Sequence, residues 1–539
     1  MAESNERDIE ERKQRVKKWL KDPYNLALIG ILIVAFVIRL YYLFVTSGQP
    51  LWWDEAEYMS TAKHWAFGVP YDLNPQRPPL FQLIGTLLLL CGFSETLSKF
   101  VLVLIPSTFL IFAIYLLGNE MFGKKVGLIS AFASSALWTY LFWTARFQPD
   151  FFSMSFQVLS LLFFWKLLKT DKTSYAVFAG IFAALGFYFK ISALLVPLSM
   201  MVYALIKDNF KVFKDKKYWI LLGSFIAAMV PFMIWQYLVF GNPVAFAPSY
   251  AGSGLREGWQ LGWMTFNFFY NFPMWSFFIL LLIGLCIALF KIVFSFDLII
   301  KEKERRLDGE LFSITVLLLV SSFYIFYIKG TIEDRWVFLI GPFIFYFSAL
   351  GLLFVYERVK KYTRIIAVIL VIALFIWFFY SQLTFTSLLV DNKKTSYQPI
   401  KDAALWIRDN SDSLDIIFSV SWTQTIYYSE KQTYTYSHLS EKNFTMFLLE
   451  HRPKYIMASI LEPNHPDWLI RYERYQSGAG GIIMPYFNSS IIFMPQKQPY
   501  IDIKPIIDKA NFSFTLVYPT KNIEGVFVYK IDYKGGFKI

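Results

Sequence analysis

Apolar runs of about 20 residues recur along most of this 539-residue chain, and no other feature restricts its fold so strongly. A run of that length crosses the hydrocarbon core of a bilayer as a helix. The runs lie at 24–45, 97–118, 126–145, 151–168, 174–189, 191–206, 218–240, 274–294, 311–328, 336–356 and 364–384. They predict a polytopic α-helical membrane protein of about eleven spans, with Lys190 interrupting the stretch 174–206. A hydrophobic share of 56% exceeds what a single soluble core absorbs. The first run, Tyr24 to Val45, is too long for a signal-peptide core and is followed by bulky residues, so it reads as an uncleaved anchor.

The formal charge of +12 would suit a polyanionic partner, but its placement indicates topology instead. Lysines and arginines cluster at 7–21, 124–125, 166–172, 207–217, 291–306 and 358–364, each between apolar runs. Under the positive-inside rule these are cytoplasmic turns, and nucleic acid is not indicated as a partner. A cytoplasmic basic N-terminus, 1–23, and an odd number of spans over 24–386 place 387–539 outside the cell membrane. Arg39, near the outer end of the first span, is expected to snorkel to the interface. Cys91 and Cys286 both lie in apolar stretches, which argues against a disulfide framework. No internal repeat supports the inverted-repeat architecture of many transporters.

Two outer segments are long. The loop 46–96 is expected to form helices lying on the membrane over Asp54–Phe67 and Pro79–Cys91, with Arg77-Pro-Pro-Leu80 breaking between them. Gly241–Asn271, rich in Gly, Pro and Trp, suits a mobile loop over a site. Beyond Ser387 the pattern becomes that of an extracytoplasmic α/β domain. Helices are expected over Ile400–Arg408 and Lys442–Glu450, and strands over Asp415–Val420, Lys454–Ile460, Phe514–Tyr518 and Gly525–Ile531. The N-x-[ST] sequons at Asn443, Asn488 and Asn511 fit an external location.

Carboxylates next to a bilayer are costly, so the string Leu51-Trp-Trp-Asp-Glu-Ala-Glu-Tyr58 directly after the first span is informative. Its tryptophans favour the headgroup level, where a lipid phosphate would sit. Further ionisable residues fall at Arg77, at Arg146 and Asp150, at Lys190, and at Glu333, Asp334 and Arg335. Every one of these junctions is an outer one, so residues distant in sequence share one membrane face. Carboxylates with several cations suit a reaction that deprotonates a hydroxyl while holding a departing phosphate. Plainer roles exist for each: Asp54 and Glu55 suit a helix N-terminus, Glu57 a solvated face, Arg77 a headgroup contact, and Arg146 with Asp150 a local ion pair. No clustered His/Cys pattern occurs, so no metal or other cofactor is indicated.

In their order these motifs resemble the polyprenyl-phosphate-sugar-dependent glycosyltransferases of the GT-C superfamily, in the protein O-mannosyltransferase and aminoarabinose-transferase branch. The likeness runs through Asp54-Glu-Ala-Glu-Tyr58, Arg77-Pro-Pro-Leu80, Arg146-Phe-Gln-Pro-Asp150, Phe187-Tyr-Phe-Lys190, and Asp334-Arg335 ahead of Gly341-Pro342. It implies a GT-C fold and transfer of a monosaccharide, with inversion, from a polyprenyl (dolichyl-type) phosphate to a hydroxyl on a protein, glycan or lipid at the outer face. By the same resemblance, Asp54 is the general base and Glu55 supports it. Arg77 and Lys190 neutralise the donor phosphate with help from Arg146 or Arg335, and Glu57, Tyr58, Asp150 and Asp334 act in support. The chain departs from the pattern at Arg77, where lysine is usual, and at Glu57, where the aminoarabinose branch tends to have arginine. The alternative from another class is a transporter or flippase of lipid-linked sugars, which calls for a polar path through the bilayer and site residues at the inner face.

Overall fold

Every apolar run emerges as helix. In the computed structural model, which describes residues 14, 17, 19–254, 275–301, 308–327, 333–462, 465–474, 480–493, 500–519 and 525–534, nine helices are long and apolar enough to cross a membrane. A tenth candidate is the bent pair Lys124–Ala136 and Trp138–Thr144, and the remaining run is the shorter helix Thr173–Phe189. The protein is thus a multi-pass membrane protein with an α/β domain. Most of the loop expected over Gly241–Asn271, and the basic residues of 7–13 and 302–306, lie outside the described residues.

The third span differs from its expected form, 126–145, because it breaks by 53° at Leu137. A break in a bilayer frees backbone groups that need partners. Gln382, from the last span, accepts from the Trp138 N–H at 2.8 Å. Arg39 donates to the Ser135 carbonyl at 2.9 Å, in the turn whose carbonyls the break leaves open. Arg39 therefore does not snorkel: it is fully buried and caps the broken helix.

Helices Trp275–Lys301 and Gly341–Lys360 approach backbone to backbone at Gly284 and Gly351. A Cβ on Gly284 would run into the Phe347 carbonyl, and one on Gly351 into that of Leu280. Small residues permit such close crossings in membranes. Gly284→Ala or Gly351→Ala is expected to cost about 1–3 kcal/mol by forcing the helices apart. Thermal unfolding in detergent checks this, with Gly223→Ala as a silent control, since nothing lies within 4 Å of a Cβ there.

The chain divides into two compact units. One comprises Met1–Ser47, Asn74–Ile84 and Ser94–Asn392; the other comprises Gly48–Leu73, Gly85–Phe93 and Lys393–Ile539. In the second unit, strands β1 (Ile417–Ser419), β2 (Thr433–Tyr434) and β3 (Tyr455–Ser459) pair in parallel through helices Trp422–Ser429 and Glu441–His451. Strands β4 (Arg471–Arg474), β5 (Gly480–Met484), β6 (Ser489–Phe493) and β7 (Tyr500–Asp502) form a separate antiparallel sheet. Strands β8 (Ile506–Asp508), β9 (Phe512–Tyr518) and β10 (Val526–Tyr533) complete the first sheet, in the order β2-β1-β3-β10-β9-β8. Alternation along the strands serves two cores. Ile417, Tyr455, Met457, Val526 and Val528 pack on helix Gln398–Asp409, while Phe418, Ile456, Phe527 and Tyr529 face the other way with Phe444 and Leu448.

The helices expected in loop 46–96 form over Trp53–Phe67 and Leu80–Leu90. The first gains a support that its sequence does not announce. Its residues 55–62 are buried, and it packs on helix Trp422–Ser429, with Trp53 edge-on to Trp422 at 5.9 Å and Tyr71 stacked on the same ring at 5.8 Å. The Leu51 N–H donates to the Tyr428 hydroxyl at 2.8 Å, and Lys63 pairs with Glu430 at 2.6 Å. The second helix leaves Leu83, Leu87 and Leu90 exposed along one side.

Candidate active site

The junctions flanking the membrane helices of the first unit bring four expected residues into one neighbourhood. Lys190 caps helix Thr173–Phe189 in extended conformation, and a short 3-10 turn, Ile191–Leu194, follows it. The ammonium therefore leaves the chain at a break between helices, where water access makes a charge tolerable. Asp150 opens helix Asp150–Thr170, a position where the helix dipole favours a carboxylate. The two side chains form an ion pair in which Asp150 is 3% exposed and Lys190 23%.

Close packing fixes that pairing. Gly186 lies against Gln157 and Ser153, where a Cβ would come within 3.1 Å of the Gln157 side chain. Ser153 donates to the Gly186 carbonyl at 2.8 Å and accepts from the Gln157 amide at 2.8 Å. These bonds join the two helices one turn from the ion pair.

Arg335 reaches the same neighbourhood from the 3-10 segment Asp334–Ile340. Its guanidinium donates to Glu333 and to Gln148 and lies 4.9 Å above the Trp143 ring. Asp334, beside it, accepts from the Thr139 hydroxyl and, at 3.1 Å, from the Trp143 indole N–H. Burial pushes the Asp334 carboxyl above the usual carboxylate range, and those two donors oppose the shift. Trp143 thus joins the carboxylate that orients it to the arginine that rests on it. Arg146 is fully buried at the end of the same turn.

Asp150, Lys190 and Arg335 line one small cavity of about 20 Å³ together with Gln157, Ser192, Tyr324 and Trp336. That volume holds about one water. Around it Lys190 is paired with Asp150 and Arg335 with Glu333, and both cations are of the kind that suits phosphate oxygens.

Arg77 lies in the turn ahead of helix Leu80–Leu90, half-buried. Its turn is held by the Asn74 side chain, which accepts from the Gln76 N–H at 2.9 Å, and by Gln76, which donates to the Ser249 carbonyl at 2.9 Å. Asp54, Glu55, Glu57 and Tyr58 belong to the second unit, in the first turns of helix Trp53–Phe67. Asp54 is half-buried; Glu55, Glu57 and Tyr58 are buried. Gln148, Trp143, Thr139 and Tyr324 were not foreseen. An amide between Arg146 and Asp150, and a tryptophan three residues before that arginine, were the available signals. Among the described residues, no group of three His, Cys, Asp or Glu side chains is placed to hold a metal ion.

Residues 76–235 match the family model of dolichyl-phosphate-mannose-protein mannosyltransferase. No curated protein sequence matches the chain. Among solved structures, the oligosaccharyltransferase of Archaeoglobus fulgidus in its apo form is similar at a TM-score of 0.57 and 12% identity, covering 90% of this chain and 76% of that one. The same organism's AglB, in complex with an inhibitory peptide and a dolichol-phosphate, gives 0.56 at 12% identity, covering 88% and 75%. ArnT from Cupriavidus metallidurans, bound to undecaprenyl phosphate, gives 0.55 at 12% identity, covering 82% of this chain and 96% of its own. The chain shares its fold with these three structures.

Proposed function

We propose that this chain is a glycosyltransferase that takes a monosaccharide from a polyprenyl-phosphate donor and places it on a hydroxyl acceptor. The observation that carries the reading is the cavity shared by Asp150, Lys190 and Arg335, two of whose members fall within the segment matched by the mannosyltransferase family model. In the proposed reaction, Asp54 takes the acceptor hydroxyl proton and the freed oxygen bonds to the anomeric carbon. The bond from that carbon to the phosphate oxygen breaks, and its electron pair leaves with the polyprenyl phosphate. A phosphate leaving group needs charge stabilisation more than a proton, so Lys190, Arg335, Arg77 and Arg146 meet it as cations. Glu55, Glu57 and Tyr58 support the base; Asp150 and Asp334 hold Lys190 and Trp143 in place. The basic turns face the cytoplasm and the chemistry lies outside.

Turnover with a panel of donors tests the reading. Purified protein, given polyprenyl-phosphate sugars and a crude acceptor extract, should consume one donor, label an acceptor and release polyprenyl phosphate in equal amount. Movement of donors across proteoliposome membranes with no sugar transferred from any of them would replace the enzyme by a transporter.

A further inference from the structure

At the opposite end of the spans from Lys190 lies a feature that sugar transfer does not use. Phe164, Leu198, Met201, Ala204, Phe213 and Leu222 are among the residues lining an apolar cavity of about 300 Å³, between helices Leu195–Asp208 and Lys216–Phe240. That volume is at the lower end of ligand-sized pockets. The 3-10 turn Asn209–Phe213 and the start of the next helix close it through Val212, Tyr218 and Trp219.

The turn is built for a headgroup layer. Phe210 is 81% exposed and stacks with Phe213 at 6.3 Å, while Trp219 is 54% exposed and its indole donates to the Phe213 carbonyl at 2.9 Å. Tryptophans and exposed aromatics of this kind settle at the membrane–water interface. Lysines flank every lining element there: Lys207 follows Ala204 by one helical turn, Lys211 and Lys214 bracket Val212 and Phe213, and Lys216 and Lys217 precede Tyr218 and Trp219. Over 207–217 there are five lysines against two aspartates. Both aspartates are engaged, Asp208 by the Tyr218 hydroxyl and Asp215 by Lys217, which also pairs with Asp171 at 2.7 Å. Topology alone accounts for lysines in a turn. It does not account for an apolar cavity that ends at their level.

We infer that this cavity and its lysine rim form a binding site for an anionic membrane phospholipid, one acyl chain lying in the cavity and the headgroup phosphate among Lys207, Lys211 and Lys214. Basic pockets between membrane helices select such headgroups, each lysine adding about 1 kcal/mol near the surface. The site is independent of the transfer reaction.

Native mass spectrometry of the full chain in detergent, with equal phosphatidylglycerol and phosphatidylcholine added, tests it. The protein should retain one phosphatidylglycerol with about tenfold preference. Lys211→Glu/Lys214→Glu should abolish the preference, and Met201→Trp, which fills the cavity from an exposed lining position, should lower retention of both lipids. Equal retention of the two lipids by the wild type would overturn the proposal. So would a preference unchanged in both variants. The charge variant alters only exposed side chains, so it keeps the test decisive if the tryptophan variant fails to fold.

Discussion

Asp54→Asn should lower sugar transfer by about 10²–10⁴-fold while donor binding stays within a few-fold of wild type, because general-base catalysis contributes a factor of that size. The substitution keeps shape while removing the negative charge and the ability to accept a proton. It also leaves the helix on its support, since Trp53, Leu51 and Lys63 make the contacts with Trp422, Tyr428 and Glu430. Loss of folding is therefore not the expected cause of lost turnover. Rates measured beside polyprenyl-phosphate binding separate the two effects. Unchanged transfer would assign Asp54 to the helix N-terminus alone, where an aspartate has a structural use.

Lys190→Met should have two consequences that a double substitution separates. It removes a cation from the donor phosphate, for which about 10²-fold in turnover is expected. It also strands Asp150, which is 3% exposed, without its ammonium. Breaking a buried pair in this way costs about 3 kcal/mol, because the remaining carboxylate keeps its desolvation penalty. Asp150→Asn combined with Lys190→Met should recover most of the stability, since no buried charge is left, and none of the turnover. Thermal unfolding and transfer rates of the single and double variants read the two effects separately. If the double variant recovered turnover as well, the pair would be a structural strut and the phosphate would be held elsewhere.

The sequence made the membrane architecture legible because each span carries its own signal: a run of about 20 apolar residues needs no partner to be recognised. The break at Leu137 was not legible. Its backbone donor is satisfied by Gln382, 244 residues away, and Arg39 looks like any arginine near a span end until Ser135 is placed beside it. The strands β1, β3, β9 and β10 announced themselves as short apolar runs. The sheet of β4–β7 did not, because β4 is the charged segment Arg471–Arg474 and β5 opens on Gly480 and Gly481, residue types that strands disfavour, and the strands gain their order from pairing with one another.

The same division holds at the site. Lys190, Asp150 and Arg335 stood out as charges at junctions of apolar runs, which is where a cost must have a reason. Gln148, Thr139 and Trp143 did not, since an amide, a hydroxyl and an indole are ordinary in membrane helices until Arg335 and Asp334 are seen to use them. The Trp53–Phe67 helix was legible as a helix but not in its location. Its support comes from Trp422 and Tyr428, more than 350 residues later, and no local pattern announces such a partner.

In the proposed reaction an acceptor oxygen displaces polyprenyl phosphate at the anomeric carbon, and Asp54 takes the proton. A single-turnover reaction with a donor isotopically labelled at that carbon, read by NMR in wild type and Asp54→Asn, measures it most directly. The expected result is a sugar joined to the acceptor with inverted anomeric configuration, one polyprenyl phosphate released per sugar, and little product in the variant. Retained configuration, or the same product at the same rate from both proteins, would contradict it.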